Sequence, residues 1–260
     1  MTRISLDICK EKGIGEVCIT VWAYDSKIYQ MGYLDICRYG ELAYNDSTDK
    51  LRERFEFITG ISYDAMMRMS DINDLYNTPE VIANPEYDKC SRGNRYYLCD
   101  LTVNVMERDM LENPRDSYYR SAAEYLQPFA ERAAGTSLDY FYSYAYEIFA
   151  LMTAKCEIIE KLGPAYRKGD LATLREILDK ALPEYLTHLE SLSLAHGTHK
   201  DRYLKAYGGK KYDIFYGSRK ERARVVMRRL RGYLDGTINL LQELDGERLE
   251  YKGGPIFPIC

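Results

Sequence analysis

The sequence has no glycine-rich phosphate loop, no G-x-S-x-G elbow and no H-E-x-x-H pair. These gaps remove the usual motif-borne routes to nucleotide, acyl-transfer and zinc-hydrolase chemistry. Histidine is scarce. His188, His196 and His199 are the only three, and no cysteine or well-spaced carboxylate completes a ligand set around them. They are expected to be surface or helix-end residues, with neither a metal nor any other cofactor bound. The seven cysteines (9, 18, 37, 90, 99, 156 and 260) are odd in number and form no C-x-x-C. Several lie on apolar periodic positions, as reduced thiols used as small core residues would, which implies a reducing compartment. No apolar run is long enough to span a membrane. The first dozen residues carry Arg3, Asp7, Lys10, Glu11 and Lys12, leaving no signal-peptide core. A cytoplasmic protein without a membrane partner is the expectation.

An excess of basic charge is also missing. The net charge is −4 and the pI about 5.6, which argues against a nucleic-acid partner. The exception is R-K-E-R-A-R-V-V-M-R-R-L-R, Arg219 to Arg231. It reads either as an anion or nucleic-acid face or as a solvated helix face; the second is expected, with Glu221 and the acidic stretch from Asp235 to Glu250 offsetting part of the charge. Tryptophan occurs once, yet there are 25 tyrosines against seven phenylalanines. Tyrosine suits wet interfaces and sugar-contacting surfaces, and equally helix packing near a surface, which is the plainer reading.

What is present begins with Gly13 to Asp25, G-I-G-E-V-C-I-T-V-W-A-Y-D, the one convincing strand signal. Val17, Ile19 and Val21 alternate with Cys18, Thr20 and Trp22, and neither set is charged, as in a strand covered on both faces. Such a strand needs neighbours for its backbone groups, and no second strand of similar quality follows. A short helix over 3–12 stopped at Gly13, then strand, loop and a helix from about Gly32 to Tyr44, make one unit of a parallel α/β architecture. Short helices are expected over Leu51–Ile58, capped by Thr48 or Asp49 and ended by Gly60, and from Ser62 to about Ile72. The pattern dissolves between Asn73 and Arg95. After Asn113-Pro114 the chain reads as four amphipathic helices. These are Asp116–Ala134, Asp139–Lys168, a third capped by Asp170 with a kink at Pro183, and a last from Ser218 to about Leu249 after a Tyr- and Gly-rich connection. Short turns between them imply an antiparallel bundle.

Ligands of parallel α/β folds gather beyond the strand C-termini, where Trp22, Tyr24 and Asp25 fall. A tryptophan face can stack on a sugar ring while a carboxylate accepts from its hydroxyls; the structural alternative is a core tryptophan and a loop-capping aspartate. The strand segment resembles the last barrel strand of glycoside hydrolase family 20, the exo-acting β-N-acetylhexosaminidases, in the branch with a helical C-terminal domain. The likeness continues through F-E-F-I-T-G (Phe55–Gly60), Asp71-Ile72-Asn73 and N-P-E-Y (Asn84–Tyr87) to L-R-G-Y-L-D-G-T-I-N-L-L-Q-E-L (Leu230–Leu244). It implies a mainly α chain: the last βα unit or units of a (β/α)8 barrel over 1–85, a linker over 86–113 and an antiparallel helical bundle domain over 114–260.

By the same resemblance Trp22 forms the floor of a sugar pocket, with Asp25 and Tyr24 beside it as substrate-binding positions. The family's general acid and its partner are an adjacent Asp-Glu pair on an earlier strand. No Asp is followed by Glu in this sequence, so no catalytic residue is assigned and the chain alone is expected to be inactive. Ala23 and Ser26 stand where the family has glycines, Tyr24 where it has an aspartate and Phe215 where it usually has an arginine. The implied partners are an N-acetylhexosamine-containing glycan and a separate barrel portion, or a second copy of the chain. The alternative from another class is a non-catalytic helical interaction or carbohydrate-contacting module.

Overall fold

The computed structural model describes residues 2–20, 28–45, 47–74, 96–112 and 114–246. The chain divides into two compact units, Met1–Ser70 and Asp71–Cys260.

The first unit opens with α1 (Thr2–Glu11). Gly13 ends it in the left-handed region (φ 66°), where Gly13 N–H donates to the Lys10 carbonyl and Ile14 N–H to that of Cys9. This double closure is what a glycine after a helix permits. The strand expectation needs correcting for Ile14–Thr20: no strand forms among the described residues, and no backbone bond joins 15–19 to another described segment. The physical reason is the missing ladder, since an extended run becomes sheet only against a neighbour. Its apolar residues are accordingly uncovered, Ile14 at 51% and Val17 at 46% exposure. Residues 21–25 of the expected strand lie outside the described residues.

A short 3-10 turn (Tyr29–Gly32) leads into α2 (Tyr33–Tyr44), followed by α3 (Leu51–Thr59) and α4 (Tyr63–Asp74). Lys50, rather than Thr48 or Asp49, occupies the α3 cap position, without a side-chain cap. Asp49 donates its N–H to Ser47 Oγ instead. Ser62 does open α4, its hydroxyl accepting from Ala65 N–H. Leu34, Leu42, Leu51, Phe55, Ile61 and Met66 form the core of this unit.

The second unit contains α5 (Glu107–Glu112), α6 (Asp116–Ala133), α7 (Asp139–Lys168), α8 (Leu171–Glu176), α9 (Leu182–Tyr203), α10 (Ala206–Leu234) and α11 (Gln242–Asp245). Cross-helix pairs fix the directions. Phe129 stacks on Tyr142 while Arg120 meets Glu157, so α6 and α7 are antiparallel. Glu147 meets His188 while Tyr140 meets Tyr203, so α7 and α9 are antiparallel, and Lys220–Glu190 with Lys200–Asp213 makes α9 and α10 so too. The i, i+3, i+4 stripe of α7 lies at the centre, with Phe141, Ile148, Phe149, Met152, Cys156 and Ile159 buried.

The expected break at Pro183 is a π-turn over Ile177–Ala181 that carries α8 into α9. Pro183 has no N–H for the carbonyl four residues back, and Leu182 N–H reaches five back to Ile177 instead. The last long helix begins at Ala206, not Ser218, and ends at Leu234, not Leu249. Buried Phe215 and Tyr216 extend its core-facing stripe, and that packing outweighs the roughly 1 kcal/mol helix penalty of a glycine such as Gly217. It stops where Gly236 takes φ 79°.

Glu160 on α7 is half-buried near the start of α6, where it accepts a bond from the backbone of Arg115. Burial, followed by the Asp116 carboxylate, pushes its pKa up to about 7 from an ordinary 4.5. A folded-state pKa raised on an acid means that stability falls as pH rises through that interval. Glu160→Gln is therefore expected to raise the unfolding free energy by about 1 kcal/mol at pH 8, after allowance for solvent screening, and by nothing at pH 4. Urea denaturation at the two pH values checks this.

Candidate functional site

Trp22, Tyr24 and Asp25 lie outside the described residues, as do Ala23 and Ser26. Phe215, at the position where the resemblance implies an arginine, is a buried aromatic 5.8 Å from the Tyr97 ring. One helical turn on, Arg219 stacks its guanidinium 4.2 Å from the Phe215 ring and donates to the carbonyls of Tyr97 (2.9 Å) and Leu98 (3.4 Å).

Arg219 belongs to a cluster of cations that fixes residues 97–102 within the helical unit. Lys155, fully buried on α7, donates to the Tyr97 carbonyl at 2.9 Å and to that of Cys99. Burial lowers the Lys155 pKa and raises that of the Cys99 thiol. Arg222 forks onto Asp100, at 2.7 and 3.2 Å, and reaches Thr102 Oγ1 at 2.7 Å. Burial alone would raise the Asp100 pKa; Arg222 and the N–H groups of Thr102 and Val103 hold it at about 2 instead. Residues 96–112, which the resemblance places in a linker over 86–113, thus carry buried Tyr96, Tyr97, Cys99, Leu101 and Met106.

Two of the three histidines correct the surface expectation. His196 and His199 are buried, and only His188 is partly exposed. They face aromatic rings from three helices: Tyr144 and Tyr140 of α7, Tyr203 of α9, and Tyr212 and Tyr216 of α10. His196 Nδ1 lies 2.9 Å from the Tyr216 hydroxyl. Burial lowers the pKa of His196 to about 3 and of His199 to about 4, so both rings are neutral at pH 7. The spacing held a signal for this. Leu189, Leu192, His196 and His199 follow the 3–4 period of the buried α9 face, where a ring needs a polar partner rather than solvent.

An open cleft of about 160 Å³ lies among α6, α7 and α9. Ala123, Ala150, Ala154 and Thr153 line it along with Arg120, Glu124 and Gln127, and Tyr146, Glu157, Glu184 and His188 complete it.

The basic run of α10 is largely engaged within the fold. Lys220 pairs with Glu190, Arg222 with Asp100, Arg224 and Arg228 with Glu221, and Arg229 with Glu243. The described cysteines, 9, 18, 37, 99 and 156, are all free. Among the described residues no helix is long and apolar enough to cross a membrane.

The second unit is an antiparallel helical bundle with residues 97–102 held against it. Residues 64–255 match the Glycoside Hydrolase 20C C-terminal domain. The chain belongs to this family and represents the C-terminal portion of a glycoside hydrolase 20 protein. No curated protein matches the sequence.

Proposed function

We propose that this chain is the C-terminal part of an exo-β-N-acetylhexosaminidase, acting on terminal N-acetylhexosamine by a substrate-assisted retaining route. The family match over residues 64–255 carries the reading. In it, residues 1–85 supply the closing βα unit of a (β/α)8 barrel, 86–113 the linker and 114–260 the helical domain. The uncovered Ile14 and Val17, in a strand-prone segment with no ladder among the described residues, support a need for sheet partners. Trp22 stacks under the sugar ring, and Asp25 with Tyr24 contacts its hydroxyls. The acid that protonates the leaving oxygen, and the aspartate that orients the attacking acetamido group, come from barrel strands outside this sequence. This route replaces the enzyme nucleophile of the two-carboxylate scheme by the substrate's own amide. The free thiols support placement in a reducing, cytoplasmic compartment.

The 260-residue chain is expected to release no chromophore from a chromogenic N-acetylglucosaminide, and to gain turnover when co-expressed with a barrel polypeptide carrying an adjacent Asp-Glu pair. Trp22→Ala in the reconstituted pair is expected to reduce kcat/KM. Turnover by the chain alone overturns this account.

A further inference from the structure

We propose that two copies of this chain associate through residues 15–19, paired antiparallel about a two-fold axis at Val17. The inference rests on the reading that this segment is a closing strand without its sheet neighbours, and names what fills that edge when no barrel portion does. Val17 and Ile19 alternate with Glu16 and Cys18, a pattern that suits a strand. No backbone bond joins residues 15–19 to another described segment, and Val17 is 46% exposed. The surface beside it is apolar and uncovered as well. On α1, Leu6 is buried and Lys10 Nζ donates to the Leu42 carbonyl on α2 at 2.9 Å. Ile4 and Ile8, two positions from Leu6 on either side, therefore lie on the outward face, at 65% and 49% exposure, and Ile14 follows at 51%. Backbone N–H and C=O groups without a ladder, next to apolar surface, are a template for a further strand.

The occupant is a second copy because the segment complements itself. With Val17 opposite Val17, Gly15 falls opposite Ile19 and Glu16 opposite Cys18. On one face glycine leaves room for isoleucine; on the other the single charge of each strand meets a neutral residue. Other arrangements are worse. A parallel in-register pair sets Glu16 beside Glu16, and so does an antiparallel shift of two residues towards the N-terminus. A shift of one turns Glu16 onto the apolar Val17 face. The two-fold contact is closed, so association stops at two copies. A two-stranded pairing is marginal on its own, and Ile4 and Ile8 supply the apolar surface that supports it. The expected dimer is accordingly weak, with a Kd on the order of 10 μM.

The test is sedimentation equilibrium of the whole chain under reducing conditions. Its mean mass is expected to rise from 30.2 kDa towards twice that value as the concentration increases from about 1 to about 100 μM. Val17→Lys sets like charges across the axis, and Val17→Pro removes an N–H from the ladder. Both are expected to stay monomeric at the highest concentration, with helical circular dichroism unchanged. In a Cys18→Ser background, Val17→Cys is expected to cross-link to a dimer on mild oxidation, since directly opposite Cα atoms about 4.5–5.5 Å apart are within disulfide reach. Cys18 of the parent, opposite Glu16, is expected not to cross-link. A monomer at every concentration, a dimer that survives both Val17 variants, a Val17→Cys chain that does not cross-link, or a parent cross-linked through Cys18 would overturn the proposal. The readout is mass, not turnover: a monomeric chain leaves the hydrolase reading standing, and failed complementation by a barrel polypeptide leaves the pairing standing.

Discussion

Lys155→Ala is expected to lower the unfolding free energy by about 3–5 kcal/mol, and Lys155→Met by about 1–3 kcal/mol. The difference isolates two roles of one side chain. Methionine keeps most of the buried stem and removes only the ammonium, so its cost reads the carbonyls left behind. Tyr97 keeps a second donor, Arg219 at 2.9 Å, and the Cys99 carbonyl becomes the orphan. Offsetting this, the desolvation already felt by the buried cation, visible as its lowered pKa, is relieved when the charge goes. Alanine adds the cavity of the missing stem beneath Tyr97 and Cys99. Urea denaturation of both variants, with unchanged slopes, measures the two terms. Equal costs for the two variants would mean that the stem contributes nothing and that the packing account is wrong.

Lys155 also illustrates what the sequence left hidden. The α7 period is legible because its apolar residues repeat without interruption, and Asp139–Lys168 stands in the structure as the pattern implies. A lysine three residues after Met152 lies on that same buried stripe, yet its partners are carbonyls some 56–58 residues away, which no local pattern encodes. The same holds for α10. Its start at Ala206 depends on Phe215 and Tyr216 packing within the helical unit, a tertiary gain that overrides glycine propensity. Caps are legible where the side chain bonds locally, as Asp170 does with Thr173 N–H at 3.1 Å. They are less so where several polar residues compete, as at Ser47, Thr48 and Asp49. The strand signal at Gly13–Asp25 is legible as a propensity. It could not become a strand over Ile14–Thr20, because pairing is a property of two segments. Of the candidate site, Trp22, Tyr24 and Asp25 were read from their place after the strand signal, with the resemblance adding their roles, and they lie outside the described residues. The cleft at His188 was out of reach, since it depends on three helices converging.

The buried histidines carry the second large effect. Acidification from pH 7 to pH 4 is expected to cost the helical unit about 3 kcal/mol through His196, with a smaller share from His199. Their folded pKa values, about 3 and about 4, lie below the ordinary 6.5. Between those values the unfolded chain binds protons that the folded chain refuses, so this stability is present above pH 6.5 and is lost as pH falls towards 4, at up to about 1.4 kcal/mol per unit for each ring. Glu160 works in the opposite sense between about 4.5 and 7, which makes the acid slope of Glu160→Gln steeper than that of the parent over that window. Asp100, held at about 2, contributes only below its ordinary 3.8 and so does not overlap the histidine window above pH 4. His196→Phe keeps a ring against Tyr144 and Tyr212 but leaves the Tyr216 hydroxyl without that partner, a cost of about 1–2 kcal/mol at pH 7. In exchange it should flatten the pH 4–6.5 slope by about one proton, so that parent and variant converge near pH 5. Urea midpoints at pH 7, 5.5 and 4 test this directly. A His196 ring that titrates near 6.5 by NMR, or a variant whose slope matches the parent's, would show that the tyrosine cage does not exclude the proton.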